Sequence, residues 1–274
     1  MHIPDALRKP RTIVEIFIIG NLAFLAVDVY VAHLTNEFER KPEWLPVIFS
    51  IGAPLLLIVS GRLFGMLVGW LSVLVGVGGM LYHLQSHFFA EQSIRNLVYT
   101  APFVAPLAYA GLGLLLILDR MVDSDTTEWA QWVLFLALGG FGGNLVLSLA
   151  DHAQNGFFNR GEWIPVVSAA IACAFLLMLV MRPDDRVLWR WTAWTMVLQV
   201  LIGSVGFALH LRANLARSAP DILDRFLYGA PIFAPLLFAN LAILAGIGMW
   251  SLAYARDDDA SCGSSTAQTD TPAS

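Results

Sequence analysis

The chain has 274 residues, of which 57% are hydrophobic and 14% charged, with a mean hydropathy of +0.67; ordinary soluble domains are about 45–50% apolar and about 25% charged. That apolar excess is more than one water-soluble core can bury and predicts a polytopic membrane protein, each crossing needing about 20 apolar residues. A net charge of −5 argues against a nucleic-acid partner. Two widely separated cysteines, Cys173 in an apolar run and Cys262 in a polar tail, give no basis for a disulfide framework or a cysteine-based metal site.

Residues 1–11 read as a cytoplasmic N-terminus carrying the basic cluster RKPR. Apolar runs follow at 12–34, 44–60, 63–86, 97–118, 130–152, 163–181, 191–212 and 227–254. The first is long for a signal-peptide core, carries Asp28 and lacks a small-x-small cleavage pattern, so it is expected to stay as a membrane helix. Eight transmembrane helices are predicted, because in hydrocarbon every backbone amide must be satisfied within its own segment. The polar stretch 119–129 is expected to be a cytoplasmic linker that ends in cap-rich DSDTTEW, and it divides the helices four and four. Beyond Tyr254, the small polar and acidic residues of 255–274 predict a disordered tail.

The two sets of four helices carry matching motifs. YTAPFVAPL at Tyr99–Leu107 returns as YGAPIFAPL at Tyr228–Leu236, and GNLAFLAVD at Gly20–Asp28 as GNLVLSLAD at Gly143–Asp151. Four residues are then absent from the second copy, a rotation of only about 40° on a helix of about 3.6 residues per turn. His33, Asn36, Phe38, Glu43, Trp44 and Pro46 next correspond to His152, Asn155, Phe157, Glu162, Trp163 and Pro165, while Gly79 and His83 correspond to Gly206 and His210. The expected architecture is therefore an all-α tandem duplication of a four-helix unit, 12–118 and 130–254. The even number of crossings per unit makes this a parallel repeat about a pseudo-two-fold along the membrane normal.

Tracing the chain places His33, His83, His152 and His210 at one membrane face, with His87 one turn beyond His83. Lys and Arg divide nine against seven in favour of an N-in, C-in topology with the histidines outside, as in a bacterial-type inner membrane. The four paired histidines are candidate ligands for haem b or a transition metal ion, with His87 as a further metal ligand, because neutral imidazole is the commonest protein metal ligand and bundle interiors are where such sites are built. The competing account is that they are hydrogen-bonded interfacial residues. Asp28 and Asp151, costly within an apolar run, are candidates for an ion path or for orienting a histidine. Glu43 and Glu162 are secondary candidates, and Tyr99 and Tyr228 flank the sites at which Pro102 with Pro106, and Pro231 with Pro235, are expected to kink the fourth and eighth helices.

The opening MHIPD resembles the N-terminus of the membrane components of cobalt and nickel uptake systems, where the resemblance implies metal binding by His2; their His-rich, Gly-rich loop has no counterpart here. Eight helices in two units with paired histidines are similar in organisation to haem A synthases, whose sequence motifs are not present. The function expected from the residues is electron transfer or a membrane oxidoreductase step at a duplicated histidine site, with a quinol or redox partner. A transporter for a small solute or metal ion and a non-catalytic scaffold or assembly subunit are the alternatives.

Overall fold

A computed structural model describes residues 9–59 and 62–266. His2, Arg8, Ser60 and Gly61 lie outside the described residues, as does 267–274. All regular elements among the described residues are helices: α1 Pro10–Leu34, α2 Trp44–Val59, α3 Arg62–Leu84, α4 Ile94–Tyr99, α5 Leu107–Met121, α6 Thr127–Gln154, α7 Trp163–Met181, α8 Arg186–Ala216, α9 Ile222–Leu227 and α10 Leu236–Thr266. Single 3₁₀ turns at Lys41–Glu43 and Arg160–Glu162 lead into α2 and α7. The cap-rich entry to α6 behaves as expected, the Thr126 hydroxyl accepting from the backbone N–H of Trp129 at 3.2 Å.

Seven helices among the described residues are long and apolar enough to span a membrane: α1, α2 with its 3₁₀ turn, α3, α6, α7 with its turn, α8 and α10. The predicted continuous helix over 97–118 is not one of them, and this corrects the expectation. There the chain forms the six-residue α4, leaves helical geometry over residues 100–106, and resumes as the 15-residue α5. Likewise α9 is separated from α10 by residues 228–235. The prolines break the helix instead of kinking it, because each lacks a backbone N–H and also pushes the residue before it out of the α region. Regular helix begins at Leu107 and Leu236, one residue after the second proline of each pair. At the other end, α10 runs to Thr266, twelve residues past Tyr254, where the sequence suggested a disordered tail; extending a formed helix adds one backbone bond per residue fixed.

The apolar surface is arranged for lipid. Leu55, Ile58, Val59, Leu63 and Trp194 are largely exposed, while Val14, Ile18, Trp129, Leu134, Phe141, Leu176 and Leu252 are completely or almost completely buried. In α10, 56% of the apolar span is buried, against 17–33% in the other six, which makes α10 the central helix. It packs on α6 and α8, while α5 packs on α3, α1 and α6. An amide pair ties α10 to α1, Asn240 Nδ2 donating to Asn21 Oδ1 at 2.6 Å, and Gln199 Nε2 donates to the Ser168 carbonyl at 3.0 Å to tie α8 to α7. Such bonds hold helices together where packing against lipid offers no hydrophobic gain.

At the end opposite the histidines, Arg11 donates to the Asp119 carbonyl at 2.8 Å and lies 3.5 Å from its carboxylate. Arg120 bridges Asp119, at 3.3 Å, and Glu15. Asp119, beyond the apolar run, is fully buried. That burial pushes its carboxyl up to about 7, Glu15 adding to the rise while Arg11 and Arg120 oppose it. A carboxyl whose folded value lies above its ordinary 3.8 favours folding most when protonated, and this contribution is lost as pH rises through about 7. Thermal stability in detergent is expected to fall between about pH 4 and pH 7 from this group, and Asp119→Asn should flatten that slope.

Glycines set the closest helix contacts. A Cβ on Gly76 would lie 2.5 Å from the backbone N of Ala110, and one on Gly203 would lie 2.8 Å from the carbonyl of Pro235. Backbone cannot yield as a flexible side chain does. Gly76→Ala and Gly203→Ala are expected to destabilise by about 1–3 kcal/mol in thermal unfolding, whereas Gly78→Ala, which meets open space, should not.

Candidate functional site

Two loops build the histidine end. After α1, the backbone N–H of Phe38 returns to the His33 carbonyl at 3.4 Å, and after α6 that of Phe157 returns to the His152 carbonyl at 3.0 Å. Both loops pass through left-handed backbone, at Glu37 and Phe38 (φ +53°) in the first, and at Gly156 (φ +69°) and Phe157 (φ +50°) in the second. For a non-glycine residue this costs about 1–2 kcal/mol. The reversal lays Phe38 on Trp44, centroids 4.1 Å apart and planes 21° from parallel, and Phe157 on Trp163 at 4.1 Å and 13°. Each phenylalanine also lies 6.0 Å from its histidine ring, His33 or His152.

The broken helices supply acceptors. Residues 100–106 and 228–235 leave carbonyls outside helical bonding, and His83 Nδ1 bonds to the Pro102 carbonyl at 3.0 Å, as His210 Nδ1 does to that of Pro231 at 2.8 Å. One turn before each histidine, Gly79 and Gly206 admit Pro106 and Pro235; a Cβ at either glycine would lie 2.8 Å from the proline Cβ. His33 Nδ1 bonds to the Val29 carbonyl of its own helix at 2.9 Å. A carbonyl can only accept, so in all three rings Nδ1 carries a hydrogen, which in a neutral imidazole leaves the lone pair on Nε2.

His33 and His83 meet with ring centroids 6.3 Å apart and planes at 60°, although they come from helices that pack chiefly on α2 and α5. His152 is the exception to carbonyl bonding. Its Nδ1 lies 3.6 Å from Glu162 Oε2, and His210 is its electrostatic neighbour. Both Glu43 Oε2 and Glu162 Oε2 are buried without a hydrogen-bond partner; the charge of Glu43 acts on His83.

Other predicted residues stand apart. His87 is exposed in the turn after α3 and makes no side-chain bond or ring contact. Asp28 and Asp151 are half-buried, and neither accepts from a histidine; Asp151 instead lines a shallow crevice between α6 and the broken segment, with Val98, Pro102 and Gln154. Tyr99 and Tyr228 end α4 and α9 with exposed rings. The acceptors expected of the aspartates are thus backbone carbonyls and Glu162. Sequence reasoning matched Phe38 to Phe157 but gave neither a role, and it did not single out the carbonyls of Pro102 and Pro231; their recurrence at matched positions is the signal that could have pointed to them.

Among the described residues, no three His, Cys, Asp or Glu side chains are arranged to hold a metal ion together. The chain matches no protein-family model, no curated protein and no solved structure.

The strained first loop generates a prediction. Glu37 takes the conformation that Gly156 takes in the second loop, so Glu37→Gly is expected to stabilise the protein by about 1 kcal/mol, read as a higher thermal midpoint. Gly156→Val should lower it.

Proposed function

We propose that the protein is a haem b-binding membrane protein of the inner membrane, with the haem iron held between His33 and His83 in one four-helix unit and between His152 and His210 in the other, acting in electron transfer or a membrane oxidoreductase step with a quinol or redox partner. The carrying observation is the His33–His83 pair, 6.3 Å between centroids with both Nδ1–H groups committed to carbonyls. His33 and His83 would hold the iron, and their separation is of the size that bonds of about 2 Å from each ring would require. Anchoring the far nitrogen on a carbonyl is the usual way a ligating ring is fixed.

Two imidazoles without a third protein ligand suit haem better than a bare ion, since the porphyrin supplies the other four positions. Bound there, haem would supply one-electron redox chemistry. The chain's own residues orient the imidazoles: Gly79 and Gly206 admit the proline segments, whose carbonyls hold His83 and His210, and the stacked Phe38–Trp44 and Phe157–Trp163 pairs lie beside His33 and His152. In this reading the chain is a duplicated unit with eight crossings, N-in and C-in. The fourth crossing consists of α5 as far as Leu118, about 18 Å at about 1.5 Å per residue, completed by residues 97–106. Non-helical backbone is tolerated at that depth where protein covers it, and Gln154 Nε2 donates to the Val98 carbonyl there at 2.6 Å.

One observation favours a second reading. Discontinuous helices at matched positions, α4–α5 and α9–α10, are a feature of transporters, and half-buried Asp151 lies beside one break. The test is the visible spectrum of detergent-purified protein, oxidised and reduced, with metal analysis. A Soret band with sharp reduced α and β bands is expected, falling by about half in His83→Ala and in His210→Ala. A colourless, metal-free protein sinks the haem reading and leaves transport of a small solute or metal ion, or a scaffold role.

A further inference from the structure

Four imidazoles line the two pairs, and three of them have their Nδ1–H on a carbonyl: Val29 for His33, Pro102 for His83 and Pro231 for His210. No carbonyl takes His152 Nδ1. Facing it at 3.6 Å is Glu162 Oε2, an oxygen that is buried and without any hydrogen-bond partner. An unsatisfied carboxylate oxygen shut away from water is costly, and the nearest donor able to relieve it is the imidazole beside it. Both side chains are mostly covered, at 21% and 13% exposure, so water cannot readily substitute. Glu162 ends the 3₁₀ turn Arg160–Glu162, which the left-handed loop at Gly156 and Phe157 brings back over His152.

We infer that Glu162 is a positioning residue for His152: its carboxylate accepts the Nδ1–H, fixes the ring with Nε2 unprotonated, and gives the second histidine pair a carboxylate-backed ligand where the first has only carbonyl-backed ones. The small closure needed is a carboxylate rotation, and the charge makes the bond stronger than one to a neutral carbonyl. Glu43, at the corresponding place in the first loop, finds no such opening, because Val29 and Pro102 already occupy the Nδ1 atoms of His33 and His83. The two pairs are therefore inequivalent. A carboxylate partner makes an imidazole more basic and more electron-donating, so a metal group on the second pair would be harder to reduce. This last consequence rests on the haem reading; the tautomer of His152 does not.

The experiment is ¹⁵N NMR of ring-labelled histidine in the whole detergent-solubilised protein, with His152 assigned by its loss in His152→Ala. The wild type should show His152 protonated at Nδ1 and free at Nε2. Glu162→Ala should move it toward the Nε2-protonated form while His33, His83 and His210 stay unchanged, and Glu162→Gln, whose amide oxygen still accepts, should keep the wild-type tautomer and report an intact fold. A His152 that is Nε2-protonated in the wild type, or unchanged in Glu162→Ala, overturns the inference. In haem-loaded protein, Glu162→Gln should raise the midpoint potential of one of two redox components, and two unmoved components would overturn the tuning role. A colourless protein removes the haem reading alone, and the NMR result still decides Glu162.

Discussion

The bond from a histidine Nδ1–H to a proline-segment carbonyl is the constraint on which the rest of the histidine end depends. Prolines four residues apart, Pro102 with Pro106 and Pro231 with Pro235, interrupt regular helix over residues 100–106 and 228–235 and bring carbonyls of those stretches within reach of the imidazoles. The Pro102 carbonyl accepts from the Ala105 N–H at 3.1 Å and also from His83, and the Pro231 carbonyl accepts from His210, so each imidazole is fixed in orientation with its hydrogen on Nδ1. The glycines one turn earlier belong to the same device, since a Cβ at Gly79 or Gly206 would hold the proline segment away.

Everything else at this end converges on that geometry. The left-handed loops carry an energetic cost that only the surrounding packing can sustain, and in both cases the result is a phenylalanine folded back on a tryptophan beside a histidine. Strain recurring at matched positions marks a place where conformation was specified closely. The far end of the molecule is of a different kind, held by the cluster of Arg11, Glu15 and Arg120 around the buried Asp119, and it fastens α1 to α5 there.

The two pairs share a plan and differ in one partner. His33 takes its own helix carbonyl at Val29, whereas His152 faces Glu162. The residue one turn before His152 is Ser148, whose carbonyl the His152 imidazole does not take, its Nδ1 facing Glu162 instead.

Composition and hydropathy by themselves determined a helical chain with membrane-crossing runs, because the requirement that backbone amides be satisfied in hydrocarbon acts segment by segment and needs no knowledge of neighbours. Motif spacing likewise singled out His33, His83, His152 and His210, along with Gly79 and Gly206, since residues four apart share a helix face wherever the helix lies. Only the tertiary structure decided that the proline pairs end helices outright, that α10 is the central helix, and that carbonyls and Glu162, not Asp28 or Asp151, stand behind the imidazoles. Those outcomes depend on which backbone a side chain meets across a helix contact and on loops forced through left-handed geometry, and neither is encoded in the periodicity of any single segment.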